Sequence, residues 1–335
     1  MPGTGNAAKA RGLRDAWRRR GLLARVLLPL SLLYRLLRAL HRLPYVLGIR
    51  QAGKAGIPVI VVGNVIAGGA GKTPVTLALA RHLREGGWHP GIVSRGYGRG
   101  TDDCREAFPD SSPADVGDEP ALLARASGAP VFVARQRIEA VRALRARHPQ
   151  VDVIISDDGL QHLALARDIE LCVFNDEGIG NGWLLPAGPL REPWPRPVTA
   201  VLHAGAPPAT DAPTFAMQRQ LASEAVNARG ERIALAALRG LPVEAVAAVA
   251  RPEVFFSMLS REHGLALEHV QALPDHYNFE SFRRLGSDAA PLVCTEKDAA
   301  KLWRTHPLAW AVPLQLRLPP GFWSMLERRL QALRA

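Results

Sequence analysis

The run Ile57–Val62 (IPVIVV) leads into Gly68-Gly69-Ala70-Gly71-Lys72-Thr73 and then into a helix-like stretch, Thr73–Glu85. No other feature of the chain narrows its fold as much. A short β-branched run reads as a buried strand of a parallel sheet. A glycine loop between strand and helix turns backbone N–H groups inward around phosphate oxygens, and the helix N-terminus adds partial positive charge. In that setting Lys72 reaches β- and γ-phosphates, and the Thr73 hydroxyl is a Mg²⁺ ligand. Pro74 suits the first helical turn, where its missing N–H costs little. The nucleotide-binding loop is expected to run from Ile66 and Ala67 through Gly68, Gly69, Ala70 and Gly71 to Lys72 and Thr73. Ile66 stands where the GxxxxGK[ST] pattern has its first glycine.

The same alternation continues beyond the loop. Gly91–Ser94, Val131–Ala134, Val151–Ser156 and Ile169–Phe174 read as strands, and Glu119–Arg125 and Arg137–His148 as helices. Strands alternating with helices at this spacing imply a P-loop NTPase-like, doubly wound, mostly parallel α/β sheet. After about Val198 the texture changes. Phe215–Gln220 and Ile233–Leu235 suggest a connecting ribbon, and Val243–Val249, Glu268–Ala272, Pro291–Thr295 and Gln315–Leu318 suggest strands of a smaller C-terminal α/β domain. The expected division is a basic amphipathic segment over 1–44, a nucleotide-binding core over 45–220 and a lid or substrate domain over 221–335.

The strand over 151–156 ends in Asp157-Asp158-Gly159, where a carboxylate holds Mg²⁺ directly or through water. Turn formation or helix capping is the alternative use of these acids. Cys104, Cys172 and Cys294 lie far apart, so neither a disulfide framework nor a cysteine zinc site is expected, and a reducing compartment is.

Charge locates a partner. The formal net charge is +11, yet residues 1–50 hold eleven Lys/Arg against one acid, Asp15, so the rest of the chain is nearly neutral. A nearly neutral body without aromatic-basic interleaving argues against nucleic acid. From Leu22 to Leu40 the sequence reads LLARVLLPLSLLYRLLRAL, with Leu23, Val26, Leu27, Leu30, Leu33, Tyr34 and Leu37 on one helical face and Arg35, Arg38 and Arg42 on the other side. The uncharged run Val26–Tyr34 is too short to span a bilayer, which takes roughly 20 apolar residues. A helix lying in the interface of an anionic leaflet fits the pattern, and one packed on the protein's own core is the alternative.

A phosphate loop alone does not separate a kinase from a GTPase switch, a motor or a metallochaperone. Thr295-Glu296-Lys297-Asp298 follows a strand but has the wrong order for an [NT]KxD guanine loop. The order of further segments is more specific: LLPLSLLY (27–34), VGNVIAGGAGKTP (62–74), VSRGYGR (93–99), VGDEP (116–120), DDGLQH (157–162), LLPAGPLREP (184–193), PDHYNF (274–279) and CTEKDAAKL (294–302). In these the chain resembles the tetraacyldisaccharide 4′-kinases of lipid A biosynthesis in Gram-negative bacteria. Ala70 departs from the Thr or Asn common there, and Ala248 from an expected glycine.

The resemblance implies transfer of the ATP γ-phosphate, with Mg²⁺, to the 4′-hydroxyl of tetraacyldisaccharide 1-phosphate. The enzyme would sit at the cytoplasmic face of the inner membrane as a peripheral protein, with no obligate protein partner. It implies that Asp118 is the catalytic base, Glu119 a magnesium-side carboxylate and His276 the partner of Asp118; for Asp118 a helix N-cap is the alternative. Gln161, His162 and Arg191 are candidate phosphate or substrate contacts, with plain packing as their other use. A membrane-recruited ATPase switch acting on a protein partner is the competing functional reading.

Overall fold

The computed structural model describes residues 17–275 and 277–334. The basic tail before Trp17 therefore lies outside the described residues, as does His276. Two α/β lobes are joined by a two-stranded ribbon. The first is built on β1 (Val59–Gly63), β2 (Pro90–Ser94), β3 (Arg105–Ala107), β4 (Val131–Val133), β5 (Val153–Asp157), β6 (Ile169–Phe174), β7 (Ala200–His203) and β8 (Thr214–Ala216). Their order is β3-β4-β2-β5-β1-β6-β7-β8, parallel throughout except for the edge pair β3–β4. β1, β2 and β5 are buried along their whole lengths, which explains their continuous apolar runs.

Before the sheet come α1 (Leu22–Val26) and α2 (Leu28–Val46). A single helix over 22–40 is broken at Leu27, because Pro29 cannot donate to a preceding carbonyl and belongs in the first turn of a new helix. The helices covering the sheet are α3 (Lys72–Glu85), α4 (Pro113–Val116), α5 (Asp118–Ala126) and α6 (Arg137–Arg147).

The predicted strand over 215–220 divides at Met217. Its first half is β8, and its second is β9 (Gln218–Leu221), which pairs antiparallel with β16 (Leu314–Arg317) as the ribbon. Between the two ribbon strands the chain forms the second lobe from β10 (Glu224–Val226), β11 (Arg232–Ala234), β12 (Pro242–Ala247), β13 (Ala266–Ala272), β14 (Leu292–Thr295) and β15 (Trp310–Val312), in the order β11-β10-β15-β14-β12-β13. Its helices are α7 (Pro252–Ser257) and α8 (Glu296–Leu302). The last helix, α9 (Pro320–Arg334), returns to the first lobe, where Phe322, Leu326 and Leu330 join the core around β1 and β5. Although it falls within the span 221–335 expected for the second unit, α9 buries its apolar stripe against the first sheet.

The N-terminal helices also depart from expectation. The stripe packed on the protein includes Ala24, Ser31, Tyr34, Arg38 and Tyr45, with Leu27 and Leu28 half-buried beside it, while most of the other leucines face outward. Ser31 Oγ donates to the Leu184 carbonyl at 2.6 Å and accepts from the Ala187 amide at 3.0 Å, and Tyr34 donates to the Arg191 carbonyl at 2.9 Å. Arg38 is not simply solvated: it pairs with the buried Glu192 at 2.7 Å.

Candidate active site

β1 ends at the centre of the first sheet, between β5 and β6, and the loop that follows opens into α3 at the carboxyl edge. Such a crevice beside the central strand is where doubly wound sheets bind ligands. Gly71, the residue before α3, has φ +86°, a left-handed conformation that costs glycine nothing. A Cβ there would also meet Arg219 Nη2 at 2.5 Å. Arg219, from the ribbon, donates to the Ala70 carbonyl at 2.8 Å, and Ala70 itself is fully buried.

Gly68 to Thr73 line a cleft of about 1710 Å³ between the lobes. Ile66 and Ala67, expected beside the nucleotide, are absent from its wall. They lie against the 184–191 strap, with the Ala67 amide donating to Pro189 O at 2.7 Å and Ile66 bridged to Leu190. Ile66 is not among the residues with positive φ, so its backbone has no need of glycine.

β5 lies beside β1 in register, Val62 opposite Asp157, so the two acids emerge next to the loop. They differ in what they face. Asp158 lines the cleft, with Lys72 Nζ 3.6 Å from Oδ1 and Arg191 Nη1 3.5 Å from Oδ2. Asp157 points behind, only 1% exposed, and accepts from the Thr76 hydroxyl at 2.9 Å. Burial, with the Glu119 and Asp158 charges adding to it, pushes the Asp157 carboxyl up to about 7 against the opposing pull of Lys72 and Thr76. Asp158 has φ +48°, unusual for a residue with a side chain. The buried Arg137 holds this turn, donating to the Asp157 and Asp158 carbonyls at 3.0 and 2.6 Å. Sequence reading missed Arg137, whose only signal is its place at the start of a helix following a strand.

Gln161 and His162 both line the cleft. Gln161 donates to the Asn64 carbonyl at 2.9 Å and to Glu192 at 2.6 Å. The His162 imidazole is lowered to about 4, first by burial and then by Arg137, Arg167 and Arg95, so it is neutral near pH 7.

Asp118 begins α5 but is not its N-cap, which is Gly117 at φ +97°. A Cβ on Gly117 would lie 3.0 Å from the Tyr97 carbonyl, so the VSRGYGR and VGDEP segments pack backbone to backbone. Glu119 reaches the cleft wall, whereas Asp118 is set just outside it, its Oδ2 accepting from Lys301 at 2.7 Å across the lobes. Asp275 lines the second-lobe side and pairs with Lys297 at 3.1 Å. The departure at Ala248 is accommodated: the residue is fully buried, and its amide donates to Asp298 at 2.9 Å.

A divalent cation fits the donors at the phosphate end. Asp158 Oδ1 is buried without a hydrogen-bond partner, and Glu119 and Asp158 both repel the charge on Asp157. Among the described residues no set of three His, Cys, Asp or Glu forms a preassembled metal site. That suits Mg²⁺, which takes one or two carboxylates and completes its shell with water and phosphate oxygens.

A backbone-lined phosphate cradle at the crevice of a doubly wound sheet, served by a lysine and an acidic turn, defines a P-loop nucleotide-binding protein. Residues 23–331 match the tetraacyldisaccharide-1-P 4′-kinase family, and the chain belongs to that family. It is 83% identical to the tetraacyldisaccharide 4′-kinase of Delftia acidovorans, covering 100% of this chain and 99% of that one. With the enzyme of Acidovorax sp. strain JS42 the identity is 62%, over 97% and 96% of the two chains. The crystal structure of LpxK from Aquifex aeolicus in complex with ATP superposes with a TM-score of 0.80 at 27% identity, over 92% of this chain and 100% of that chain.

Proposed function

We propose that this chain transfers the γ-phosphate of ATP to the 4′-hydroxyl of tetraacyldisaccharide 1-phosphate, giving lipid IVA, from a seat on the cytoplasmic face of the inner membrane. The observation that carries the reading is the shared cleft. Lys72, Asp158 and Arg191 stand together at one end, and Tyr34, His41 and Arg50 of the N-terminal segment line the same cavity. A triphosphate held at the loop thus opens toward the helix whose outer face is leucine. Among the described residues no helix is long and apolar enough to cross a membrane, which favours a helix lying on the surface.

Phosphoryl transfer through a loose transition state calls mainly for alignment and charge neutralisation. Lys72 and the Gly68–Gly71 amides hold the phosphate oxygens, and Arg191 supplies a second cation from the opposite strap. Thr73, Glu119 and Asp158 would hold Mg²⁺, with Asp157 behind them fixing the turn through Thr76; the ion, when bound, draws charge off the β- and γ-phosphates. Asp118 accepts the proton of the attacking hydroxyl, and His276 is its partner by family resemblance. Gln161 ties the loop to the strap through Asn64 and Glu192. Family membership favours this kinase over the ATPase switch.

Incubation of the protein with γ-labelled ATP and the purified disaccharide lipid tests the reading. Label should appear in a lipid product in proportion to ATP consumed; ATP hydrolysis with no labelled lipid would overturn it.

A further inference from the structure

The CTEKDAAKL segment (294–302) has no role in the transfer as derived above, and the structure resolves its polar residues into two groups. Thr295 and Asp298 secure α8 to its own lobe. The Thr295 hydroxyl caps the helix at the Asp298 amide, and the Asp298 carboxylate accepts from Thr295 Oγ1 at 2.6 Å and from the Ala248 amide at 2.9 Å. Ala299 and Leu302 are fully buried in the second lobe's core. Lys297 and Lys301 are four residues apart and so share one face of the helix. They reach away from that core: Lys297 to Asp275, the residue before His276, and Lys301 to Asp118 on α5 of the other lobe.

We propose that Lys301 is a positioning residue for phosphoryl transfer, holding the Asp118 carboxylate in its working orientation and tying that orientation to the second lobe. The proposal rests on the reading of Asp118 as the base.

Three observations favour positioning over mere adhesion between the lobes. α5 and α8 are already docked by Arg125, whose guanidinium stacks over the Trp303 ring at 5.3 Å. The Lys301–Asp118 pair is largely screened from water, with side-chain exposures of 17% and 11%, so its charge-assisted bond has a defined direction. The Lys301 ammonium is directed to Asp118 at 2.7 Å, whereas Glu119, Asp275 and Lys297 line the cleft itself. With Oδ2 held at 2.7 Å, rotation of the carboxylate is restrained, which biases the direction in which Oδ1 points. A base displaced by about 1 Å loses on the order of 10²-fold in rate.

Steady-state kinetics of the full chain with ATP and the disaccharide lipid tests this. Lys301→Met keeps the aliphatic stem and removes the charge; kcat should fall roughly 10- to 100-fold while KM for ATP stays within about twofold. Lys301→Arg should recover most of the lost kcat. Joined to Asp118→Asn, Lys301→Met should add nothing further, since a positioning residue has no effect once its target is gone. Wild-type kcat in Lys301→Met beside an inactive Asp118→Asn would overturn the positioning role alone. Wild-type kcat in Asp118→Asn would overturn the base assignment and the proposal with it. Equal losses in the Met and Arg variants, with a lowered melting temperature in both, would show Lys301 to be structural. Should the Met variant fail to fold, Lys301→Gln against Lys301→Arg gives the same comparison.

Discussion

The two ends of the cleft are built on opposite terms. At the phosphate end, hydropathy and burial agree: Val59–Val62 are apolar and buried, and the polar Lys72 and Thr73 face the cavity. At the N-terminal end they are opposed. Ser31 is 5% exposed and Glu192 1%, whereas Leu32 and Leu36 are 63% and 56% exposed. This helix thus turns Ser31, Tyr34 and Arg38 to the protein and most of its leucines outward, among the exposed Arg35 and Arg42. A contiguous apolar face of this kind signals a partner surface, and with arginines interspersed an anionic bilayer fits it. The phosphate end is satisfied by its own chain; the exposed leucines of the other end have no such cover among the described residues.

Substitutions should separate the two ends. The largest effect is expected at the loop: Lys72→Ala should lower kcat for phosphate transfer by about 10³-fold, the scale of losing one cation from a developing charge. Its sedimentation with anionic vesicles should match the wild type. Loss of vesicle binding in that variant would mean that the ends are not independent.

Next comes the polar seam that joins them. Arg38→Ala leaves the Glu192 carboxylate buried without its closest cation, with Arg196 Nη1 at 3.4 Å as a weaker substitute. Removing one partner of a buried pair destabilises by about 3 kcal/mol, readable as a lower urea midpoint. Arg18→Ala, at an exposed pair with Glu177, should cost under about 0.5 kcal/mol. Equal midpoints for the two variants would mean that the helix is not anchored by its polar stripe.

A smaller change is expected on the outward face. Leu32, Leu36 and Leu40 are all exposed and lie four residues apart. Changing the three to Glu should weaken partition onto anionic vesicles about 30-fold, some 2 kcal/mol of lost apolar contact with the bilayer. The urea midpoint should stay put, because none of the three packs on the protein. A fall in stability with unchanged vesicle binding would instead make this face an internal one.

What was legible in the sequence follows the same divide. The strand–loop–helix at 57–85 and the acidic turn at 157–158 are local patterns, and local patterns survive reading without a structure. The Asp157/Asp158 distinction is not local: it depends on Thr76, four residues into a helix, reaching one carboxylate and not the other. The roles of Arg137 and Lys301 were not legible because their targets lie 20 and 183 residues away, even though Lys301 falls within the CTEKDAAKL segment. β7 was missed because its four residues follow a proline-rich strap that reads as loop, and the ribbon was misjoined because Met217 carries no turn signal. Orientation of the N-terminal helix was the opposite kind of error. Helical periodicity grouped Leu27 and Tyr34 with Leu30, Leu33 and Leu37, yet both are half-buried; the Tyr34 hydroxyl needs an acceptor, and the Arg191 carbonyl provides one.

The smallest expected effect concerns the cleft floor between the two ends. His162 Nε2 accepts from the Arg137 amide at 3.4 Å, and Arg137, Arg167 and Arg95 surround the half-buried ring. Protonation would place a cation among three guanidinium groups, so the folded state holds the imidazole neutral down to about pH 4, while an unfolded chain protonates it near 6.5. Between those values the unfolded state binds more protons, so stability rises with pH through this window and is lost as pH falls from about 6.5 toward 4. Above 6.5 the residue contributes no slope. Solvent screening at a partly exposed ring keeps the total under about 1 kcal/mol. His162→Gln should therefore flatten the urea midpoint between about pH 4 and 6.5 relative to the wild type (the range set by the two protonation midpoints). A wild-type slope retained in that variant would assign the acid sensitivity to other groups. A stability that rises on acidification would contradict the crowding of cations around the ring.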